Sequence, residues 1–210
     1  NIAYRDAIEK AGLKFTGNAA GVDFGVFGAR VAGGPTAPGL PDQRAADVAV
    51  LRLARPLSPS SRLGLVATQG NPEGTAGSRL WGVDYQYRDT RWPGLDGRGE
   101  RTLETHAWLL QSDNAASGSG RAWGASVLYP NLGLTGSAEV QRIDERFQPA
   151  LGYLAEAGVL RGQGDLGWWH RTEAGASVIP AVDWSFRRRL DGSEATLLLK
   201  DRPPAGLDRR

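Results

Sequence analysis

Residues 79–88 read RLWGVDYQYR, and the alternation in this stretch limits the possible folds more than any other feature. Apolar or aromatic Trp81, Val83, Tyr85 and Tyr87 are separated by Gly82, Asp84, Gln86 and Arg88. Successive side chains of a strand point to opposite faces, so this segment has one greasy face and one wet face. A half-buried strand of a soluble sheet reads this way. So does a strand of a transmembrane barrel, with lipid outside and a polar lumen inside.

The pattern recurs along the chain. Leu13, Phe15 and Gly17 interleave with Lys14 and Thr16, and Val22, Phe24 and Val26 with Asp23 and Gly25. Leu63, Leu65 and Ala67 alternate with Arg62, Gly64 and Thr68, and Trp123, Ala125, Val127 and Tyr129 with Gly124 and Ser126. The longest case sets Leu132, Leu134, Gly136, Ala138 and Val140 against Gly133, Thr135, Ser137, Glu139 and Gln141. Val182, Trp184 and Phe186 alternate with Asp183, Ser185 and Arg187. Turn-forming clusters at 17–21, 33–43, 58–61, 71–78, 93–99 and 115–120 separate these runs. Such a density of short strands predicts an all-β antiparallel meander of roughly twelve strands, as a sandwich or a barrel.

One unit is expected: residues 1–10 as a short helix or tail, 11–201 as strands and 202–210 as a tail. IAYRDAIEKAG at 2–12 could turn as a helix. Ile143, Phe147, Leu151 and Leu154 also have helical spacing, but Pro149 and Gly152 interrupt it, so a turn at 144–146 followed by a strand is expected.

Composition narrows the function classes. With 210 residues the chain can build a domain-sized core, and its net charge of +2 offers no broad field for nucleic acid. Zero Cys excludes disulfides, thiolate zinc sites and thiol chemistry. Zero Met, even at position 1, suggests a processed chain or a piece of a longer one. No segment has the roughly 18 apolar residues of a spanning helix, although barrel strands need only about 10 alternating ones.

The wet face is rich in Gly, Ser, Asp, Gln and Arg, the composition of a crowded aqueous lumen. Trp81 and Tyr87 lie six residues apart on one face, as do Trp123 and Tyr129, in the fifth and seventh expected strands. Each pair would span roughly 20 Å and place aromatics at two heights, like the interface girdles of a membrane barrel; Trp184 would join them. Ordinary core pairs would give the same spacing. Tight connections at 18–21, 56–60 and 130–131 against longer ones at 32–45 and 70–78 follow the barrel habit, while the 90–100 loop departs from it.

AGLKFTGNAAGVDFGVFGARVAGG, DVAVLRLARPLSPSSRLGLVATQG, RLWGVDYQYR and RFQPALGYLAEAGVLRG resemble successive hairpins of a family of large bacterial outer-membrane proteins. That family, of uncharacterised function, joins an N-terminal module similar to family-nine carbohydrate-binding domains to a C-terminal barrel. The resemblance covers residues 11–172 and implies the barrel portion, outer-membrane lipid around it, and other chains of a membrane assembly as partners. Residues 1–210 depart from the family in showing neither the binding module nor a signal peptide, and GLDRR is not the aromatic strand with which such precursors end, so both ends are expected to be cut from a longer chain.

Catalytic signatures are weak. GQGDLG at 162–167 matches the dinucleotide pattern G-x-G-x-x-G, but WWHR follows instead of a helix, so its glycines are expected to relieve crowding in a strand. Ser119 sits in SGSG, not in a nucleophile elbow. His106 and His170 have no second ligand at metal spacing, and Asp96 with Glu100, or Asp113 with Asn114, offer too few oxygens for calcium. No cofactor and no metal are expected. Arg187, Arg188 and Arg189 form a basic run that nearby acids argue against assigning to nucleic acid; it would meet headgroups or solvate a turn.

The leading expectation is an outer-membrane barrel segment that passes or captures solutes, glycans among them. Arg62, Asp84, Gln86, Arg88, Glu139, Gln141, Asp183 and Arg187 are its candidate lumen residues. Two alternatives stay open: a soluble β-sandwich binding module, and the barrel part of a carbohydrate-active hydrolase using two of Asp84, Glu104, Glu139 and Asp183.

Overall fold

The computed structural model describes residues 11–34, 44–72, 77–94, 99–152, 154, 156–168, 170–171, 177–178 and 180–202. The expected helix or tail at the N-terminus, most of the 33–43, 71–78 and 93–99 turn clusters, and positions 203–210 of the expected tail lie outside them.

The strands are β1 (Ala11–Ala19), β2 (Val22–Val31), β3 (Ala46–Ser58), β4 (Ser61–Gln69), β5 (Ser78–Pro93), β6 (Glu100–Asn114), β7 (Gly118–Tyr129), β8 (Leu134–Ile143), β9 (Val159–Trp168), β10 (His170–Arg171), β11 (Ser177–Val178), β12 (Ala181–Arg189) and β13 (Ala195–Arg202). Eleven of them form one antiparallel sheet in the order β1 to β9, β12, β13, and β10 pairs with β11 in a separate small hairpin. Neighbours in the sheet are also neighbours in sequence, except that the β10–β11 hairpin intervenes between β9 and β12, as expected where short connections join antiparallel strands. Among the described residues the sheet is open, with β1 and β13 at its edges, and no helix is present.

Roughly twelve strands were expected; the described residues hold thirteen, eleven of them in the main sheet. The turn at 144–146 is present, but the strand expected after it is not: the described residues between 147 and 158 are irregular until β9 begins. The reason is visible in what they touch. Phe147 and Leu154 pack onto side chains of β5 to β8, so their helix-like spacing serves an irregular segment laid across a sheet. Arg202, assigned to the tail, belongs to β13.

Register carries the alternation across the whole sheet. The ladder Phe24–Leu53–Leu65–Val83–Leu109–Trp123 is apolar throughout, and Leu63–Tyr85–Ala107–Ala125–Val140–Gly162–Phe186–Leu197 runs two positions from it. The opposite face carries Asp23, Arg52, Asp84, His106, Gln141, Arg161 and Arg187. Register shifts occur only between Pro56 and Ser58 and between Asp89 and Trp92, near strand ends, so they leave the central rows intact.

The apolar face is largely open. Trp81 is 46% exposed and Val83 37%, with Leu65, Leu109, Trp123, Val182, Leu197 and Leu199 also open. The polar face is covered in part: the Asp84 side chain is only 13% exposed, whereas Arg62 at 52% and Arg88 at 71% stand open. The buried cluster of Ala122, Ile143 and Phe147, with Leu80, Trp108, Leu110 and Leu154 against it, also lies on the polar face. At about 4.8 Å per strand the open apolar band is roughly 50 Å wide, and over about 20 Å of strand length it covers roughly 1,000 Å², beyond the few hundred Å² that a soluble monomer leaves exposed.

Glycines sit where a large side chain lies across the neighbouring strand. Trp184 and Phe186 stack with ring centroids 6.2 Å apart, and a Cβ at Gly164 would fall 2.7 Å from the Trp184 ring. Gly162 makes the same room for Phe186. The two-residue spacing of GQG therefore matches the two-residue spacing of the aromatics it faces, which is the crowding relief expected of that motif. Gly124 lies under Trp108 and Gly17 under Phe24 in the same way, each with a Cβ position 2.7 Å from the ring. Substituting Ala at Gly164 should lower stability by about 1–3 kcal/mol through overpacking. The Gly25→Ala change, whose Cβ would make an ordinary 3.7 Å contact with Thr16, should be far milder; chemical unfolding of both variants checks the contrast.

Candidate functional site

All eight candidate lumen residues fall on the covered face: Arg62 on β4, Asp84, Gln86 and Arg88 on β5, Glu139 and Gln141 on β8, Asp183 and Arg187 on β12. They do not form one site. They divide into a group on β2 to β6 and a second on β8 to β13.

In the first group, ion pairs reach over an intervening strand. The Arg52 Nη2 donates to Asp84 Oδ1 at 2.9 Å, and Nη1 donates to Oδ2, giving a bidentate pair from β3 to β5. Next-but-one strands lie about 10 Å apart, a gap that a guanidinium on its long stem can close. Gly64 of β4 lies beneath, where a Cβ would strike both partners. Gln86 approaches Asp84 at 3.5 Å, Arg62 reaches Asp23 of β2 at 3.8 Å, and Arg88 meets Glu104 at 3.2 Å. Asp84 and Glu104, two of the carboxyls considered for hydrolysis, are thus engaged by arginines. Asp113 accepts from Ser119, and Asn114 Oδ1 accepts from the Ala116 amide at 2.9 Å, so both serve the β6–β7 turn.

The second group is organised by the segment 144–158. Its entry is fixed by reciprocal bonds: the Asp144 amide donates to the Arg121 carbonyl at 2.9 Å, and the Arg121 amide to Asp144 Oδ2 at 3.2 Å. The Gln148 amide then donates to Oγ of fully buried Ser112 at 2.9 Å. Ser112 is paired with Gly120 on β7, and a Cβ at Gly120 would collide with the backbone of Arg146 and Phe147. A hydroxyl and a bare glycine side by side make the seat for this backbone.

The far end of the segment is clamped by charge. Arg187 donates from Nε to Glu156 Oε2 at 3.1 Å, from Nη2 to Oε1, and from Nη1 to Glu194 Oε2 at 2.8 Å. Arg189 lies 3.8 Å from Glu156 and 3.4 Å from Asp191. Two arginines of the 187–189 run are therefore spent on carboxylates, where solvation of a turn or headgroup contact was expected. Arg188 points to the open face, as its pairing with Leu160 and Ala195 requires. The Glu156 carboxyl is held below the usual carboxylate range, chiefly by the Arg187 hydrogen bonds, with burial opposing and the charges of Arg187, Arg189 and Arg161 adding. Asp191, in the β12–β13 turn, is lowered by hydrogen bonds from the backbone and hydroxyl of Ser193.

Between the segment and the sheet lies a cavity of about 520 Å³, with Trp108, Leu110, Phe147 and Leu154 on one side and Gln141, Glu156 and Arg161 on the other. A second, of about 420 Å³, continues along β8, β9, β12 and β13 past Glu139, Gln163, Arg187 and Glu194, sharing Gln141 and Arg161 with the first. Asp183 borders a third, of about 390 Å³, with Asp165 and Lys200.

The girdle candidates Trp81, Tyr87, Trp123, Tyr129 and Trp184 all project from the open face. Tyr87 stands edge-on to Trp92 at 6.5 Å, and its hydroxyl donates to Asp89 at 3.1 Å. Sequence reasoning missed Arg52, Ser112, Gly120, Glu156 and Arg161. Gly120 alone had a local signal, a glycine inside an alternating strand; the others are defined by partners 31 or more residues away or by a cavity wall.

Compared with known proteins, the chain matches no family model, no curated protein and no solved structure.

Two outcomes are expected. Asp84→Asn should destabilise by about 1–2 kcal/mol because it strands Arg52 on a covered face, whereas Arg88→Gln, with its side chain 71% exposed, should stay under about 1 kcal/mol in the same unfolding assay. A folded-state pKa below the ordinary glutamate value of 4.5 means that Glu156 stabilises above that pH and that the contribution is lost as pH falls through the lowered value. Acidification from about pH 6 to about pH 3 should therefore speed hydrogen exchange at the Phe147 and Gln148 amides, and Glu156→Gln should show fast exchange already at the higher pH.

Proposed function

We propose that this chain is the strand-bearing part of a bacterial outer-membrane β-barrel. Its open face would meet lipid, and its covered face would line a path along which small solutes, glycans among them, pass or are captured. The observation that carries the reading is the exposed apolar face: Trp81, Val83, Leu109 and Trp123 stand open on one side, while the other side carries the ion pairs of Arg52 with Asp84 and of Arg187 with Glu156. A sheet that meets water on one side keeps its polar residues there; a sheet that meets lipid turns them inward.

A second observation concerns tilt. The ladder from Phe15 passes Val26, Leu51, Ala67 and Trp81 and then turns polar at Gln111 and Arg121. The ladder that stays apolar to Leu197 crosses β7 at Ala125, four positions further along. The apolar band thus runs obliquely to the hydrogen bonds, by about 13 Å at β7. Strands inclined to a barrel axis require such a stagger, because the lipid layer is perpendicular to the axis and not to the strands.

The resemblance of residues 11–172 to barrel hairpins of the outer-membrane family belongs to the same proposal, as do lipid and other chains of a membrane assembly as partners. On the covered face, polar side chains would bind by hydrogen bonds and charge without making or breaking bonds. The segment 144–158, clamped across the interior by Arg187, would narrow the path.

The chain should need detergent or lipid to stay dispersed. A monodisperse, cooperatively melting monomer in detergent-free buffer, seen by size exclusion and near-ultraviolet circular dichroism, would overturn the lipid reading. In bilayers, Val83→Arg or Leu134→Arg should cost about 2–4 kcal/mol if near the midplane, while Thr135 and Ser137 on the opposite face should tolerate substitution far better. Equal losses from both sets count against the assignment of faces.

A further inference from the structure

We propose that the cavity of about 520 Å³ beneath the segment 144–158 is a binding site for a small amphipathic organic anion, an aromatic carboxylate in its simplest form. The carboxylate would sit on Arg161 and the ring against Trp108 and Phe147. The proposal gives a ligand class to the covered face, yet it does not depend on whether the other face meets lipid.

The polar end of the cavity carries an unsatisfied donor. The Arg161 Nε is buried and has no hydrogen-bond partner. A guanidinium binds a carboxylate through two parallel charge-assisted bonds, and with Nε enclosed the two terminal nitrogens are the pair it would offer to the cavity. The sites of Arg187 and Arg189 are already filled by Glu156, Glu194 and Asp191. Among the described residues Arg161 makes no ion pair of its own: Glu156, whose carboxyl its charge helps to lower, is hydrogen-bonded to Arg187. Gln141 beside it donates to Glu139 at 3.2 Å and keeps a second amide hydrogen for a ligand.

The other end selects the rest of the ligand. Trp108 lies flat over Gly124, and with Leu110, Phe147 and Leu154 it makes an apolar wall that no charged or hydroxylated body would use well. The volume falls in the range of about 300–1,000 Å³ typical of small-molecule sites. Cation at one end and aromatic wall at the other call for a molecule with the complementary polarity.

Phenylacetate is a suitable probe, with neutral phenylacetamide as its isostere. The full chain is folded in detergent micelles and each compound titrated by calorimetry against a protein-free micelle blank. Phenylacetate should bind saturably and at least about tenfold more tightly than phenylacetamide, the difference expected for a charge-assisted contact. Arg161→Gln should abolish that preference and Arg161→Lys restore part of it, whereas Arg188→Gln, on the open face, should leave it intact. Equal affinity for the two compounds, no saturable heat with phenylacetate, or an unchanged preference in Arg161→Gln would each overturn the proposal. The comparison of the two compounds on the unaltered chain stands even if Arg161→Gln fails to fold. Binding by a chain that stays monomeric without detergent would retain this site while removing the lipid reading.

Discussion

Everything in this molecule depends on a register that never slips in its central rows. Because side chains alternate with period two, a one-residue shift anywhere between β1 and β13 would exchange the greasy and wet faces of every strand beyond it. Eleven strands paired strictly in chain order carry one parity from Phe15 to Leu199, and the two irregularities are confined to strand ends. Turn chemistry helps to hold that parity: the β1–β2 link uses only Ala20 and Gly21, both at positive φ (51° and 74°), which fixes the pairing of Ala19 with Val22.

Given one continuous parity, the covered face faces a packing problem that arginine and glycine solve together. The polar groups shielded there, Asp84 and Ser112 among them, must find partners, yet side chains on adjacent strands are too close for a long guanidinium to lie flat. Arg52 therefore crosses β4 above Gly64 to reach Asp84, while the 146–148 backbone settles above Gly120 against Ser112. The same economy of space acts outside, where Gly162 and Gly164 lie beneath Phe186 and Trp184. Small residues are the gaps into which both faces fold.

The fold was legible in the sequence because alternation is a local signal. The runs at 79–88, 123–129, 134–141 and 182–187 each declare their faces without reference to any neighbour, and all keep those faces in the sheet. The partners on the covered face were not legible. Arg187 and Glu156 are 31 positions apart and Arg52 and Asp84 are 32 apart, so nothing short of the register reveals that they meet. The segment after Ile143 misled for a different reason. Apolar residues spaced by three and four positions suit a helix face, but they equally suit an irregular chain whose every third or fourth residue touches a flat surface beneath it. Pro149 and Gly152 removed the helix without announcing the surface.

The number of strands in the sheet has a geometrical consequence. In a meander each strand reverses the one before, so the first and eleventh point the same way, and β1 and β13 do so here. Were these two margins brought together directly, they would meet as a parallel seam in an otherwise antiparallel wall, with slanted hydrogen bonds on one line only. A seamless antiparallel cylinder needs an even tally, and so an odd number of additional strands between the margins. Bare amide and carbonyl groups along two such margins are each worth several kcal/mol in hydrocarbon, so a medium that welcomes the apolar band would also force that tally to be completed.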